Sequence, residues 1–484
     1  PFGGSNYSLP WFGGLVSLLF LALSSYLMVR ALHVTSRVLS FLLCAIVAVF
    51  PVLTSTFAYG FTAPYYMLAF FLACLSAYFL AGRTSLSSLA AGIILEGLMI
   101  GIYQAYLPVM LSFEVLILLS HEWEKKDRPR SFWLHALSGT VLGFLLYLLL
   151  MKASLLATGK ELYASRGLDT MGAGAGNFSY PQRIAMAYRM FFSPDSFRPY
   201  RGSDDYLLFM WSMRSAYRLL IAVIVLLSIL ALVRMLRGPL PERKRLSGKE
   251  SFTGRAFLPV LRTAVLFALF PLCANFVFVM TDFDVYSMML YGEVMIFVLG
   301  ILLAQWFRGN RPRTSGSIEG NLPRTASEKH PLRTSLPGFL SLVMSAVLLY
   351  SVIFYVRYDN LCYYKAGRMQ EEAVSYDTAL IARIQGTEGY DPSLPVCFVH
   401  DLEKDTSFLS SDPELSGITL TPYGGNEIIN DYSWVSFLRI HCGFAPSVIE
   451  DSGQYDDLLE KEQVPRYPAS GSIRIVDGVI VVNF

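Results

Sequence analysis

The chain has 484 residues, of which 54% are hydrophobic, 14% aromatic and only 16% charged. Soluble domains usually carry about 25% charged residues, so this composition excludes an ordinary soluble protein. The formal net charge of +2 is too close to zero to indicate a nucleic-acid-binding protein.

Apolar runs long enough to cross a bilayer recur along most of the chain. Crossing about 30 Å of hydrocarbon takes roughly 20 helical residues. The stretch 85–120 is longer than one span and is broken near Gly101, with Pro108 just beyond, so we divide it into two helices. Ten spans are predicted: 11–30, 38–58, 64–82, 85–101, 103–120, 131–151, 215–234, 257–279, 286–307 and 338–357.

The distribution of positive charge predicts the orientation of these spans. Alternate connections carry twenty Lys and Arg residues, whereas the short connections 59–63, 101–103 and 280–285 carry none. The long connection 152–214 carries eight, but long loops cross the membrane largely regardless of charge. We therefore expect the basic side to be cytoplasmic, and the loop 152–214 to lie on the outer face.

Four parts of the chain follow from this organisation. Residues 1–307 are predicted to form a transmembrane catalytic bundle that includes the outer loop 152–214. Residues 308–336 are rich in Arg, Ser, Pro and Gly and read as a flexible cytoplasmic linker. Residues 337–358 form the last transmembrane helix, and 359–484 an extracytoplasmic α/β domain.

The terminal domain has signals of both helix and strand. Lys365 to Arg383 has apolar residues at roughly helical spacing, and Val396 to His400 resembles a strand. Ser472 to Asn483 alternates around Asp477-Gly478, which is a strong signal for a two-residue hairpin turn. The predicted fold class is therefore mainly α: a polytopic helix bundle followed by a small α/β domain.

Ionisable residues within spans are costly and are functional candidates by default. Glu96 and Glu293 are predicted to converge on one depth near the outer leaflet boundary, close to Tyr103 and Gln104. These carboxylates either bond neighbouring helices and fix packing, or line a substrate cavity. Other ionisable residues lie closer to the cytoplasmic side: Glu114, and Arg262, which can snorkel to that surface.

The outer loop 152–214 is too long to be a mere connector. Its segment 182–192 is predicted to form a helix in the membrane interface, with Ile184, Ala187, Tyr188 and Phe191 on one face and Arg183 and Arg189 off it. Four arginines could bind a lipid phosphate or only attract anionic headgroups: Arg183, Arg189, Arg198 and Arg201.

Further acidic residues lie on the predicted outer face. Asp204 and Asp205 are a candidate site, or simply the start of the next helix, where acids are favoured by the helix dipole. Asp282 and Asp284 are candidate carboxylates or ordinary solvated loop residues. Six scattered cysteines and six histidines have no metal-ligand spacing, and we expect neither a zinc site nor a disulfide framework.

Several motifs resemble one known family. Phe57 to Tyr66 (FAYGFTAPYY), Gly101 to Tyr106 (GIYQAY), Tyr467 to Ile473 (YPASGSI) and Asp477 to Val482 (DGVIVV) resemble the bacterial type II glucosyltransferase domain family, which includes O-antigen-modifying glucosyltransferases. The likeness spans nearly the whole chain, and GIYQAY is its distinctive motif.

The resemblance implies a GT-C-type glycosyltransferase in the bacterial plasma (inner) membrane. Such an enzyme takes a sugar from an undecaprenyl-phosphate donor and passes it to a cell-envelope glycan on the outer face. The lack of GxSxG, HExxH and Walker motifs agrees with a donor that arrives through the membrane lipid. The resemblance leaves a divalent metal cofactor, Mg²⁺ or Mn²⁺, open.

Members of this fold usually carry a catalytic acid in the first outer loop, and residues 1–10 contain no Asp or Glu. The chain opens with Pro1-Phe2-Gly3-Gly4 and no Met, so we expect a further helix and the principal base upstream. The residues offered as secondary catalytic carboxylates are Asp204, Asp205, Asp282, Asp284 and Glu96. Those offered for substrate binding are Tyr103, Gln104, Glu293 and the four arginines of the loop.

Two other functions stay open at this point. A transporter or lipid-linked sugar flippase would explain ten spans with intramembrane carboxylates, and it predicts internal repeats and interrupted helices in matching positions of two halves. The other hypothesis is a non-catalytic partner protein or a degenerate enzyme. An Asp pair in the upstream outer loop would favour catalysis.

Overall fold

The structure is a computed structural model that describes residues 9–123, 130–160, 178–193, 211–237, 252–281, 285, 287–309, 336–399, 431–449 and 453–484. Within them the chain forms two compact units, Pro1–Asp359 and Asn360–Phe484. The first unit is helical, and the second contains the sheet.

Five helices open the first unit: α1 Pro10–Ala31, α2 Arg37–Val49, α3 Pro51–Ala58, α4 Ala63–Gly82 and α5 Leu86–Ile102. Their boundaries follow local sequence. The hydroxyl oxygens of Ser36 and Ser85 accept hydrogen bonds from backbone amides in the first turns of α2 and α5, which satisfies one orphan donor in each. Proline occupies the first turn of α1, α3 and α4, where its missing N–H costs nothing.

The first unit continues with α6 Leu107–Trp123, α7 Arg130–Thr158, α8 Tyr180–Phe192 and α9 Trp211–Arg237. It ends with α10 Phe252–Ala274, α11 Val277–Met280, α12 Val294–Gly309 and the 50-residue α13 Leu336–Gln385, which extends into the second unit. Short 3₁₀ turns lie at Gln104–Tyr106, Ser287–Met289 and Tyr291–Glu293.

All ten predicted apolar runs are largely helical. Among the residues that the structure describes, eight helices are long and apolar enough to cross a membrane: Pro10–Ala31, Arg37–Ala58, Ala63–Gly82, Gln104–Trp123, Phe132–Thr158, Met213–Arg237, Tyr291–Arg308 and Leu336–Gln385. The other two runs form shorter apolar helices, Leu86–Ile102 and Leu258–Ala274. The protein is therefore a multi-pass membrane protein by the length and composition of its helices, and the count of ten crossings remains a prediction.

The helices differ in how deeply they are buried. The apolar window of Gln104–Trp123 is 89% buried and that of Tyr291–Arg308 is 83%, against 11% for Phe132–Thr158 and 28% for Pro10–Ala31. Helices α6 and α12 therefore form the centre of the bundle. Helices α1 and α7 lie at its periphery, where their apolar side chains suit contact with lipid.

The predicted division of 85–120 is confirmed, since α5 ends at Ile102 and α6 begins at Leu107. Three other spans that the sequence predicted as continuous are interrupted. Phe50 separates α2 from α3, residues 275–276 separate α10 from α11, and 3₁₀ turns precede α12. Hydropathy did not reveal these interruptions because the residues in them are themselves mostly apolar.

Helix α8 confirms the helix predicted over 182–192, but its buried face differs from the predicted one. Arg183, Ala187 and Phe191 are buried, whereas Ile184 is 39% exposed. Arg183 lies on the buried face because its Nε donates a 3.0 Å hydrogen bond to the Phe178 carbonyl oxygen, which satisfies the charged group locally. The placement of Arg183 off that face was therefore wrong.

Helix α8 is fixed to the bundle by hydrogen bonds between side chains and backbone carbonyls. The Tyr188 hydroxyl donates to the Ala268 oxygen at 2.8 Å, and Asn275 Nδ2 donates to the Ala187 oxygen at 3.2 Å. The Tyr217 hydroxyl donates to the Phe191 oxygen at 2.8 Å. Part of the long connection 152–214 is thus an integral part of the first unit.

The second unit contains a four-stranded sheet in the order β2-β1-β4-β3. The strands are β1 Val396–Val399, β2 Val448–Ile449, β3 Ile473–Val476 and β4 Val479–Asn483, and the unit also holds α14 Asp431–His441 and α15 Gly453–Lys461. Strand β1 is parallel to β2 and β4, while β3 and β4 are antiparallel. The small α/β fold expected after the last span is therefore present.

The predicted hairpin at the end of the chain is confirmed. Asp477 and Gly478 both have positive φ, 49° and 79°, as a two-residue primed turn requires. The alternation of β4 follows from its position, since Ile480 and Val482 pack on α13 residues such as Leu380 and Ile384. Val481 faces the other side, where α15 contributes Tyr455 and Leu459 to a second core.

Candidate functional site

The interruptions of the helices converge at the centre of the first unit. Rings from three of them meet: the centroid of Tyr291 lies 6.0 Å from that of Phe50 and 6.0 Å from that of Tyr106. We define the interruption cluster as Phe50, Tyr106, Tyr291, Phe297 and Tyr355, all of them buried. Irregular backbone at membrane depth is tolerated only where protein buries it or where it lines a cavity, so the cluster marks a candidate site.

Tyr291 satisfies a backbone group that the sequence itself leaves without a partner. The carbonyl of Val47 would accept from the amide of residue 51 in a continuous helix, but Pro51 has no N–H. The Tyr291 hydroxyl donates to this oxygen at 2.6 Å. The break between α2 and α3 and the turn before α12 are therefore chemically complementary.

Gly292 allows the turn before α12 to approach two other helices closely. A Cβ at this position would lie 2.5 Å from the Ala274 carbonyl oxygen and 2.7 Å from Pro108 Cβ. Ala274 is the last residue of α10 and Pro108 lies in the first turn of α6, so neither contact is with the end of a flexible side chain. A glycine is required here by space.

Two carboxylates border the interruption cluster. Glu293 follows Gly292 and is 1% exposed. Asp359 lies one helical turn after Tyr355 on α13, and its Oδ1 accepts a 2.7 Å hydrogen bond from the Thr54 hydroxyl of α3. The Tyr355 ring lies 5.8 Å from that of Phe50 and 6.1 Å from that of Phe297, which places this face of α13 against the cluster.

Asp359 was not among the residues predicted from the sequence. The last span was ended at 358, so Asp359 was assigned to the terminal domain. The signal that could have identified it is its spacing, since an acid four residues after Tyr355 lies on the same helix face as that apolar ring. The structure assigns Asp359 to the first unit.

Glu96 lies on a different helix contact from Glu293. It is fully buried on α5, and its side chain lies so close to Gly143 of α7 that a Cβ there would be 2.6 Å from Glu96 Cδ. Neither carboxylate oxygen has a hydrogen-bond partner among the described residues. Of the two readings of the sequence, the contact with Gly143 fits helix packing, while the unpartnered oxygens leave a polar role open.

Two more polar residues meet the same face of α7. The Thr140 hydroxyl donates a 2.9 Å hydrogen bond to Glu114 Oε2, and Gln104 Nε2 donates to the Tyr147 hydroxyl. Thr140, Gly143 and Tyr147 are spaced by three and four residues, so they form one stripe along the helix. Helix α7 therefore presents a polar seam inwards and apolar side chains outwards.

Tyr103 and Gln104, predicted as substrate contacts, lie in the break between α5 and α6. The Tyr103 ring stacks on that of Tyr66 with centroids 4.3 Å apart, and it meets Tyr106 edge-on at 5.3 Å. Both Tyr103 and Gln104 are half-buried. They connect to the interruption cluster through Tyr106, and a role in substrate binding remains a prediction.

Only some of the remaining charged candidates lie in the part of the chain that the structure describes. Arg183 is buried in α8 and lies 5.5 Å from the centroid of the Tyr180 ring, whereas Arg189 is in the last turn of the same helix. Arg262, expected near the cytoplasmic surface, has its Nη1 3.3 Å from Glu122 Oε1. The remaining candidates lie outside the described residues: Arg198, Arg201, Asp204, Asp205, Asp282 and Asp284.

The described ranges contain few side chains that could bind a metal ion. Within them, no three His, Cys, Asp or Glu side chains come together as a metal site would need. The six cysteines are all free thiols. The arrangement that remains is a rigid aromatic cluster with two carboxylates at its border, and carboxylate oxygens can accept hydrogen bonds from hydroxyl groups.

Comparison with known proteins gives one result. The sequence model of the family described as glucosyl transferase GtrII matches residues 1–297, which is more than half of the chain. The match includes every interruption of the helices and ends four residues after Glu293. No curated protein and no solved structure matches the chain.

Proposed function

The chain belongs to the glucosyl transferase GtrII family, and from this membership we propose that it transfers a glucosyl residue from a polyprenyl-phosphate donor to a cell-envelope glycan. The reaction takes place on the outer face of the bacterial plasma membrane. The observation that carries the proposal is the family match over the part of the chain that contains the converging helix interruptions and Glu293.

A lipid-linked donor suits this architecture. The donor sugar would reach the bundle from the bilayer, so the protein needs no soluble nucleotide-sugar domain. Undecaprenyl phosphate is the carrier that membership in this family leads us to expect, and the apolar helices and the lack of nucleotide-binding motifs agree with it. The positive charge of the predicted cytoplasmic connections supports an outer position for α8 and for residues 360–484.

The chemistry asks little of the protein beyond positioning and proton transfer. An acceptor hydroxyl attacks the anomeric carbon, the bond from that carbon to the lipid phosphate oxygen breaks, and the phosphate leaves as an anion. A carboxylate that takes the hydroxyl proton contributes typically 10²–10⁴-fold. Arginines such as Arg189 are suited to stabilise the departing phosphate, because guanidinium groups match phosphate oxygens.

The carboxylates proposed for these steps lie in different parts of the chain. Glu293 borders the interruption cluster and is 1% exposed, and we keep it as a proposed substrate contact. Asp204, Asp205, Asp282 and Asp284 remain proposals as secondary carboxylates, and so does Glu96 of α5, which packs against the polar seam of α7. We keep a divalent metal ion, Mg²⁺ or Mn²⁺, as a proposed cofactor.

Transport is the alternative that one observation favours. Interrupted helices are typical of transporters, in which half-helix ends surround a substrate near the middle of the bilayer. The breaks at Phe50 and at Ala274 resemble this feature. Interrupted helices can also supply backbone groups to other kinds of buried site, so they do not by themselves indicate transport. Membership in a glucosyl transferase family therefore outweighs the resemblance to transporters.

The test is a direct transfer assay. The full-length protein in proteoliposomes is given radiolabelled polyprenyl-phosphate glucose and purified envelope glycan, and label in the glycan is measured. We expect transfer from the lipid donor and none from uridine diphosphate glucose alone. If the label crosses the membrane but remains on the lipid, the protein is a flippase and the proposal is wrong.

A further inference from the structure

Asp359 borders the interruption cluster, and the proposed function has not used its carboxylate. It lies outside the family match, which ends at residue 297. Its contact, however, is with Thr54 in the matched part, 305 residues earlier in the chain. A residue from beyond the family region thus reaches the border of the interruption cluster.

The orientation of the Asp359 carboxylate is fixed. Thr54 is buried, and its hydroxyl donates to Oδ1 at 2.7 Å. Tyr355, one turn earlier on α13, is fully buried against Phe50 and Phe297. A side chain held by a buried hydrogen bond on a helix with a rigid anchor meets the geometric demand of a binding site.

The remaining hydrogen-bonding capacity of Asp359 is open to a ligand. A carboxylate offers about four acceptor positions, and Thr54 uses one of them. In the described part of the chain, no cation forms an ion pair with Asp359. The residue is half-buried, so that a ligand can reach it. An acid without a cation at the end of an apolar helix segment is a functional candidate by default.

The chemistry of the open positions selects the ligand. A carboxylate that is not paired with a cation is complementary to hydroxyl donors, and a pyranose carries several of them. A metal would need further ligands, and the described residues around Asp359 do not supply three acidic, His or Cys side chains. We propose that Asp359 binds a hydroxyl of a pyranose substrate and thereby determines sugar specificity.

This inference rests on the proposed glucosyl transfer, and the hydroxyl can belong to the donor sugar or to the acceptor glycan. A site built to bond a hydroxyl discriminates strongly against an analogue that lacks it. The Asp359→Asn variant keeps an oxygen that can accept from Thr54 but loses the charge. We expect it to weaken recognition by roughly ten- to hundred-fold, as for the loss of a hydrogen bond to a charged group.

The experiment compares wild type and Asp359→Asn in proteoliposomes with polyprenyl-phosphate donors whose sugar lacks one hydroxyl at each position in turn. A parallel arm measures KM for the acceptor glycan. Wild type should discriminate against one deoxy donor, and the variant should lose that discrimination, if the hydroxyl is the donor's. If it is the acceptor's, the variant should instead raise KM for the glycan.

The matched control is Glu371→Gln, the same chemical change on the same helix at a side chain that is 71% exposed. It should keep both the discrimination and the KM of wild type. A variant Asp359→Asn that lowers kcat alone, with every deoxy ratio and both KM values unchanged, shows a structural role and overturns the inference. Transfer that fails in wild type as well overturns the proposed function itself, and the inference with it.

Discussion

At Gly292, a backbone carbonyl and a proline ring leave no room for a side chain. The neighbours of its absent Cβ are a carbonyl oxygen at the end of α10 and a proline ring in α6, neither of which can rotate away. The turn before α12 can therefore pack closely against α10 and α6 only because residue 292 has no side chain.

We expect Gly292→Ala to destabilise the protein by about 1–3 kcal/mol, as overpacking does, and to reduce transfer activity because Tyr291 and Glu293 flank it. The thermal unfolding midpoint in detergent and the transfer assay measure the two effects. Gly101→Ala is the matched control, since a Cβ there meets nothing within 4 Å. Equal effects of the two variants would contradict the argument.

Asp377 is a buried acid of a different kind, in the second unit and beyond the apolar part of α13. Its Oδ1 accepts a 3.1 Å hydrogen bond from Trp434 Nε1. Burial raises the pKa of Asp377 from 3.8 to about 6, and the Trp434 hydrogen bond opposes this only in part. The folded state therefore binds the proton more tightly than the unfolded state does.

The stability that protonated Asp377 provides is fully present below about pH 4 and is lost as the pH rises through about 6. In wild type, this group should lower the free energy of unfolding by up to about 3 kcal/mol between pH 4 and pH 8. In Asp377→Asn we expect this part of the decline to disappear. Unfolding midpoints of the full chain from pH 4 to pH 8 measure it. Asp391→Asn, at an exposed acid whose pKa is lowered, is the control and should keep the wild-type decline.

At the scale of elements, hydropathy located the helices but not their ends. The ten apolar runs could be predicted because apolar length is a local signal. The division of 85–120 could be predicted from Gly101 and Pro108, which are local signals as well. That the breaks at Phe50 and before α12 meet depends on which carbonyl a distant tyrosine reaches, and sequence spacing does not contain that information. Pro51 and Gly292 were visible local signals that could have indicated both breaks.

Some residues of the candidate site could also be predicted from the sequence, and others could not. Glu293, Tyr103 and Gln104 could be proposed because polar residues in an apolar run are conspicuous. Asp359 is harder to recognise, since at the end of a span an acid resembles ordinary surface and its spacing from Tyr355 is a weak signal. The role proposed for it rests on the contact with Thr54, 305 residues away.

The polar seam of α7 gives a prediction about two packed helices. Gly143→Ala places a Cβ 2.9 Å from Glu96 Cβ and 2.6 Å from Glu96 Cδ. We expect a cost of about 1–3 kcal/mol in wild type and a smaller one in a Glu96→Ala background, where the outer atoms are gone. Unfolding midpoints of the two single variants and the double variant complete the cycle.

Gly14→Ala, on α1 with nothing within 4 Å of the new Cβ, is the control for a glycine inside an apolar helix. An equal cost of Gly143→Ala with and without the Glu96 side chain would mean that the two helices do not meet through this pair. The seam would then be a set of separate contacts.

For the whole molecule, charge distribution predicts which ends of the helices face the cytoplasm. Single cysteines at three exposed positions test it in a chain whose own cysteines are replaced: Gly60 and Glu388 on the predicted outer side, and Thr84 on the inner side. An impermeant maleimide should label the first two in intact spheroplasts, and Thr84→Cys only after lysis. Labelling of Thr84→Cys before lysis would reverse the topology.

The hydrogen bond from Tyr291 to Val47 also has a consequence for biosynthesis. The two residues are 244 positions apart, so ribosomes need roughly 10 to 50 s to make Tyr291 after Val47, at about 5–20 residues per second. During that time the Val47 oxygen cannot have its hydrogen bond from Tyr291. The partner of Thr54 is made later still. The site therefore cannot be complete until both Tyr291 and Asp359 have been made.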